Sequence, residues 1–340
     1  IMGKTVTAAL ATLMPGKTAN PHNTEHTPGG SSSGSAAAVA SYMIPGAVGT
    51  QTNGSVIRPA AFCGTVGFKP TYGTISRYGV LRQSPFLDQV GVFSRNVEDA
   101  ALLAEVMMGQ DPEDPATAGM VAAPPLLAVC RSDPPVTPRF GFLRTRHWGQ
   151  LDAASKAGLE EVVDALGDRV SEITAGPVFD SSWQALATVN SAEMATWFGH
   201  VYDKGRDYLE PLVLDMIERG MAVTARDYIN AMETRSLVTT VLDEYFEEFD
   251  AIITPAAPGE APRGLNTTGN PLFSTPWSLA GVPAITLPLL QGETGLPIGV
   301  QLVGQRMDDA RLLRTARWVM QQLGGEADTP ANEDSHMVMQ

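Results

Sequence analysis

The feature of this sequence that most restricts its fold is a set of short apolar runs, each closed off by proline or glycine. Ala251-Ile-Ile-Thr254, Ala284-Ile-Thr-Leu-Pro288 and Ile298-Gly-Val-Gln-Leu-Val303 are four to six residues long. Runs of that length without steady polar alternation fit strands buried on both faces. Phe140-Gly-Phe-Leu143 and Ile44-Pro-Gly-Ala-Val-Gly49 read the same way. Segments of helical period lie between them. Asn96 can cap a helix with Glu98 and Asp99 in its first turn, Ala100, Leu103, Val106 and Met107 on one face, and Gly109 at its end. Leu159, Val162, Val163 and Leu166 form a second such face, and residues 181–249 read as several amphipathic helices. A last helix, capped near Asp308, carries Leu312, Ala316, Val319 and Leu323 and stops at Gly324. Buried strands alternating with helices predict an α/β layered fold. A short helix is further expected near Val6 to Leu13, a buried helix over Ala36 to Met43, and a surface crossover or hinge over the proline-rich stretch Asp111 to Pro138.

Composition narrows the partners. With 340 residues, 44% hydrophobic and 18% charged, the chain can bury a core of ordinary size as one large or two modest domains. A formal net charge of -14, with no Lys/Arg cluster, argues against nucleic acid and anionic membrane surfaces and for a small-molecule partner. No apolar run approaches the roughly 18 residues that span a bilayer. Two cysteines, Cys63 and Cys130, are too few for a disulfide framework and fit a reducing, cytoplasmic setting. Cys63, in Ala-Ala-Phe-Cys-Gly, reads as a small buried hydrophobe. The few histidines show no metal-ligand spacing, so neither metal nor organic cofactor is expected.

Two glycine-serine sites carry the chemistry. The first, Pro28 to Ala40, reads PGGSSSGSAAAVA and runs directly into apolar sequence, which marks a structured loop rather than a linker. Gly30-Ser-Ser-Ser-Gly34 formally matches a nucleophile elbow with Ser32 as nucleophile. That enzyme needs a strand before the elbow and a catalytic histidine after it, and Pro21 to Pro28 is a poor strand with few histidines downstream. Gly-Lys-Thr occurs at Gly3 and Gly16, but without the glycine and helix of a phosphate loop. The second site, Val48-Gly-Thr-Gln-Thr-Asn-Gly-Ser-Val-Ile-Arg-Pro-Ala60, takes a strand through a tight turn at Gly54, and Ser55 follows where a helix can begin. Backbone N–H groups on such a turn converge on one point, as an oxyanion requires. An ordinary strand-turn-helix corner would read the same way.

Together, PGGSSSGSAAAVA and GTQTNGSVIRPAAFCGTVGFKPTYG, from Gly49 to Gly73, resemble the amidase signature family without a gap. The likeness continues through Leu87-Asp-Gln-Val-Gly91, Arg95 to Ala100, Ile253-Thr-Pro255, Asn270 to Leu287 and Pro297 to Gly304. It implies an amidase-signature domain over residues 1–325, its central mixed sheet covered on both faces by helices, and a polar tail over 326–340. It also implies a Ser-cisSer-Lys hydrolase without cofactor. Ser55 is then the nucleophile, Ser31 the relay serine after a cis bond, and the backbone of Thr52, Asn53, Gly54 and Ser55 the oxyanion hole. Position 53 is glycine in the family, and asparagine tolerates a left-handed backbone well enough for the hole to form. Arg58 either binds a substrate carboxylate or, the favoured reading, pairs with a loop acid. The family's lysine belongs to a strand that falls before Ile1; Lys4 and Lys17 do not match it, so the chain as written lacks the base, or is an inert family member. Phe273 and Trp277, in a segment without charge, are expected to line an apolar acyl pocket for small amide, ester or carbamate substrates. The resemblance equally fits a glutamine-hydrolysing subunit of a tRNA-dependent amidotransferase, and it leaves a homodimer open.

Overall fold

The structure is a computed structural model that describes residues 1–120 and 122–324; the tail assigned to 326–340 lies outside the described residues. Eight strands form one sheet: β1 Gly46–Gln51, β2 Val66–Lys69, β3 Gln89–Ser94, β4 Phe140–Leu143, β5 Val170–Ile173, β6 Ala251–Pro255, β7 Ala284–Gln291 and β8 Pro297–Val303, in the order β1-β3-β2-β7-β8-β6-β4-β5. Its β1-to-β6 side is antiparallel throughout, and β4 runs parallel to both β6 and β5. The sheet is therefore mixed.

Side-chain alternation along the strands divides the core into two layers. Phe68, Val92, Phe140, Ile253, Ile285 and Leu302 face one way, against helices Val97–Met107, Leu126–Arg131, Ala153–Leu166 and Asp309–Leu323. Leu143, Ile252, Ala284 and Val303 face the other way, against helices Ile57–Cys63, Ala225–Phe246 and Thr275–Ala280. Helices thus cover both faces, as expected of an α/β fold. Asn96 caps its helix by accepting the Asp99 N–H at 2.7 Å.

On the second face the strands β1, β3 and β2 carry glycines where bulk would keep the helix away. Gly49 pairs with Gly91 across the ladder. A Cβ on Gly91 would meet Val56 at 3.0 Å, and one on Gly67 would overlap the Cβ of Ala60. The short helix after Ser55 can therefore lie directly on the sheet.

Four expectations change. The helix expected over Ala36 to Met43 runs Ser33–Ala40 and leaves Tyr42 and Met43 exposed, and the strand expected to be buried at Ile44 to Gly49 is β1, an edge strand with Val48 exposed because no strand covers that edge among the described residues. Val6 to Leu13 is not a helix but an extended segment with one 3-10 turn, Ala9–Ala11, in which Leu10 and Ala11 are left-handed. Its backbone is committed elsewhere: the Ala8 N–H donates to Ser31 O and Val6 O accepts the Gly34 N–H, both at 2.9 Å. The Asp111–Pro138 stretch holds a helix, Leu126–Arg131, whose Leu126 and Cys130 are fully buried in the core.

Candidate active site

Of the four hydroxyls in the Pro28–Ala40 loop, two fasten it to β1, one bonds within the loop and one has no partner among the described residues. Ser32 Oγ accepts the Thr50 N–H at 3.2 Å and donates to the Thr50 carbonyl at 3.3 Å. Ser35 Oγ donates to Val48 O at 2.8 Å and bonds Thr5 Oγ1 at 2.7 Å. Thr50 and Val48 belong to β1, which pairs only with β3, so these serines dock the loop on the open edge of the sheet. Ser33 Oγ donates to Ser31 O at 3.4 Å. Ser31 Oγ is buried and has no hydrogen-bond partner among the described residues. The peptide bond that precedes it, Gly30–Ser31, is cis.

The second motif is held from both sides. Gln51, fully buried at the end of β1, accepts the N–H groups of Val56 and Ile57 at 2.9 and 3.0 Å on its Oε1 and donates to Ser278 Oγ at 3.0 Å. Thr52 donates its hydroxyl to Asp88 Oδ1 at 2.6 Å. Between these anchors the backbone N–H groups of Thr52, Asn53, Gly54 and Ser55 bond to no acceptor among the described residues. Gly54 supplies the left-handed residue, with φ 84°, and a side chain there would meet Pro271 at 2.9 Å and Ser274 Oγ at 3.2 Å. Asn53 is not left-handed, contrary to expectation, because the turn bends one residue later; its Oδ1 accepts the Thr275 hydroxyl at 3.1 Å.

Arg58 ties the two motifs together. From the helix after Ser55 its Nη2 donates to Gly30 O at 2.6 Å, the carbonyl next to the cis bond, while Nε donates to Thr268 O at 2.7 Å. No carboxylate is bonded to it among the described residues, so the loop acid expected as its partner is replaced by two carbonyls and the Thr268 hydroxyl. Nη1 has no partner among them. Burial lowers the guanidinium to about 9. No hydrogen bond joins Ser31 to Ser55, and the junction between them is this arginine.

Ser55, with Thr52 and Asn53, opens on a cavity of about 370 Å³ whose wall includes Leu13, Trp183, Leu186, Leu212, Met216 and Leu272. Phe273 and Trp277 are not on that wall. The segment folds as a 3-10 turn and a short helix, Thr275–Ala280, which turns Phe273 and Trp277 into the two core layers, Trp277 against Phe179 at 5.3 Å. Asn270, Pro271, Leu272 and Thr275 reach the cavity instead. Its charge comes from helix Pro211–Met221, whose Asp215 and Arg219 pair with each other at 2.6 Å. A second cavity of about 470 Å³, lined by Arg77, Asp88 and Asp114 among others, shares Ala11, Thr52 and Gln83 with the first.

Sequence reasoning passed over Gln51, Asp88, Trp183 and Lys69. Lys69 had one available signal, a charge inside an otherwise apolar Val-Gly-Phe-Lys run. It is fully buried, and desolvation lowers it to about 7. Its Nζ donates to Val282 O, to Gln89 Oε1 at 2.7 Å and to Pro70 O at 3.2 Å, which occupies all three donors away from Ser31. Cys63 is buried with its thiol pushed up by desolvation, the inert state expected of it.

Comparison with known proteins bears on the family and the fold. A glutamyl-tRNA(Gln) amidotransferase subunit of Synechococcus sp. (strain WH7803) is 34% identical over 348 residues, covering 92% of this chain and 70% of the relative. The crystal structure of the corresponding glutamyl-tRNA(Gln) amidotransferase subunit from Thermotoga maritima superposes with a TM-score of 0.81 at 29% identity, covering 94% of this chain and 73% of that one. The 6-aminohexanoate cyclic dimer hydrolase complexed with substrate gives a TM-score of 0.82 at 27% identity, with coverage of 94% and 74%. Relatives of such different substrates share the mixed sheet and its flanking helices, and with residues 2–313 matching the amidase family, the chain belongs to that family.

Proposed function

We propose that the chain hydrolyses amide bonds of small, largely apolar acyl substrates, with Ser55 as nucleophile. Attack by Ser55 Oγ on the acyl carbon places negative charge on the carbonyl oxygen, and the N–H groups of residues 52–55 stand ready for it because they have no other acceptor among the described residues. The Ser55 proton passes to Ser31 and onward to a base, for which the resemblance indicates a lysine ahead of Ile1. The same relay protonates the leaving amine, and water then clears the acyl-enzyme. The observation that carries this reading is the unpartnered Ser31 hydroxyl, buried beside a carbonyl that Arg58 ties to the Ser55 helix.

Fluorophosphonate labelling with intact-mass readout, on protein that includes the relay lysine, tests it. Ser55→Ala should abolish both labelling and turnover with the fold intact, and Ser32→Ala, which removes only a docking hydroxyl, should keep them. Labelling that survives in Ser55→Ala and vanishes in Ser32→Ala would move the nucleophile to the elbow-like motif.

The apolar wall supports aryl or aliphatic acyl amides, and esters or carbamates of the same shape. One observation favours a second reading, glutamine hydrolysis within an amidotransferase. A glutamine site must satisfy an α-ammonium and an α-carboxylate, and Asp215 with Arg219 offers both partners at the cavity wall. Both side chains are substantially exposed and already satisfied by each other, so the apolar reading is preferred. A higher kcat/KM on p-nitroacetanilide than on glutamine is expected, and the reverse order would select the amidotransferase reading.

A further inference from the structure

We propose that Asp88 is a positioning residue of this site, fixing the oxyanion turn through Thr52; the assignment rests on the hydrolase reading above. Asp88 lies just before β3 and is buried. Its Oδ1 accepts the Thr52 hydroxyl at 2.6 Å, the shorter of that hydroxyl's two contacts, the other being Gln83 Oε1 at 3.1 Å, and its Oδ2 accepts the backbone N–H groups of Gln83 and Ser84, both at 2.9 Å. One carboxylate therefore joins the first residue of the turn to the loop that closes over it. That loop is itself fastened, since the Glu193 carboxylate accepts the Ser84 hydroxyl and the Phe86 N–H and, on its other oxygen, the Tyr228 hydroxyl at 2.6 Å.

The need for such an anchor follows from what the turn lacks. Its four N–H groups have no acceptor among the described residues, so no backbone hydrogen bond from them holds residues 52–55 in the shape an oxyanion requires. Gln51 fixes the exit of the turn through Val56 and Ile57. The Thr52 hydroxyl fixes its entrance, and a catalytic electrostatic site works by being arranged before charge develops. Burial pushes the Asp88 carboxyl up, while the three donors around it act in the opposite direction and favour the ionised acceptor. Asparagine is a poor replacement: with its N–H₂ toward Thr52, the Thr52 proton must turn to Gln83 Oε1 at 3.1 Å, and with its N–H₂ toward Gln83 and Ser84 it faces two N–H donors, so in either orientation the charged 2.6 Å anchor is lost.

The test compares wild type, Asp88→Asn, Thr52→Val, the double variant and Thr52→Ser on p-nitroacetanilide, with labelling rate and thermal midpoint measured alongside. Asp88→Asn and Thr52→Val should each lower kcat and labelling about 10- to 100-fold with KM within about 3-fold, because misplaced groups affect the transition state more than ground-state binding. The double variant should be no slower than the worse single one, since both break one hydrogen bond. Thr52→Ser, which keeps the hydroxyl, should stay near wild type. Effects that multiply in the double variant, or lie only in KM or in the midpoint, would overturn the assignment. With the relay lysine present, wild type that labels, with both single variants labelling equally fast, overturns it alone; wild type that carries that lysine and neither labels nor turns over overturns the hydrolase reading and this assignment with it.

Discussion

Gly49→Ala tests whether the glycine-lined face of the sheet sets the position of the relay loop. A Cβ on Gly49 would stand 2.5 Å from Ser32 Oγ, 2.8 Å from Ser32 Cβ and 2.7 Å from the ring edge of Phe93. Unstrained carbon contacts lie near about 3.5–4.0 Å, so each of these must open by roughly 1 Å. Ser32 cannot simply rotate away, because its hydroxyl holds both the N–H and the carbonyl of Thr50. Overpacking of this kind costs about 1–3 kcal/mol, while the reduced freedom of the unfolded chain returns about 0.4–1 kcal/mol. A net loss of about 0.5–2 kcal/mol is expected. Ser31 is the neighbour of the displaced residue, so labelling of Ser55 should fall by about 10-fold or more, beyond what the stability change implies. Urea unfolding followed by circular dichroism gives the first quantity and fluorophosphonate labelling the second. Gly49→Ala/Ser32→Gly, which clears the overlap, should recover part of the stability. A Gly49→Ala variant at least as stable as wild type and labelled at the wild-type rate would refute the reasoning.

Arg58→Met leaves the buried carbonyls of Gly30 and Thr268 without their donors and should cost about 2–4 kcal/mol in chemical denaturation; an unchanged midpoint would show that the arginine does not hold the loop. For Lys69 the unfolded chain keeps its proton up to about 10.5 and the folded chain only to about 7, so the penalty of burying this lysine is full below pH 7 and fades as pH rises. Wild-type stability relative to Lys69→Met should therefore increase by about 2–3 kcal/mol from pH 7 to pH 9, and a flat difference would show that Lys69 stays protonated.

Strands were legible where both faces are apolar and hidden where one face must admit a helix. β6, β7 and β8 stand out in the sequence because their residues pack against helices on both sides. β2 and β3 alternate Phe68 and Val92 with Gly67, Lys69, Gln89 and Gly91, residues that face the Ile57–Cys63 helix and the polar groups beneath it. An apolar-run criterion discards such strands although every residue in them is buried. The same limit misplaced the acyl pocket. Phe273 and Trp277 looked like pocket lining because they are large and apolar, yet that is equally the description of core residues. The serine loop was legible because its density of hydroxyls has a structural meaning: two dock it on β1, one closes within the loop and one is left over. Nothing in the linear sequence told which serine was left over without the family pattern.

The proposed catalytic groups and the cavity wall come from different parts of the chain, which explains why one was readable and the other was not. The groups assigned to chemistry lie within residues 29–58 and are positioned by β1, by β3 and by hydrogen bonds that join Gln51, Asn53 and Arg58 to the 268–278 segment. Helices Ser182–Trp197 and Pro211–Met221 supply one side of the cavity wall, outside every motif that carried the family resemblance. On the second of these, Val213, Ile217 and Gly220 are buried, and a Cβ on Gly220 would overlap the Ser191 carbonyl. Leu212, Asp215, Met216 and Arg219, at helical spacing on another face, turn to the cavity. Trp183 is fixed against the same wall by its N–H to Leu272 O at 2.9 Å. Of these four, Met216 also packs against the buried Val213–Ile217 face, so Leu212, Asp215 and Arg219 are the positions where a substitution changes the cavity with least effect on the helix. A family of one fold and many amide substrates needs such a division, and here it falls between a sheet edge that fixes two serines and a helix pair that shapes what reaches them.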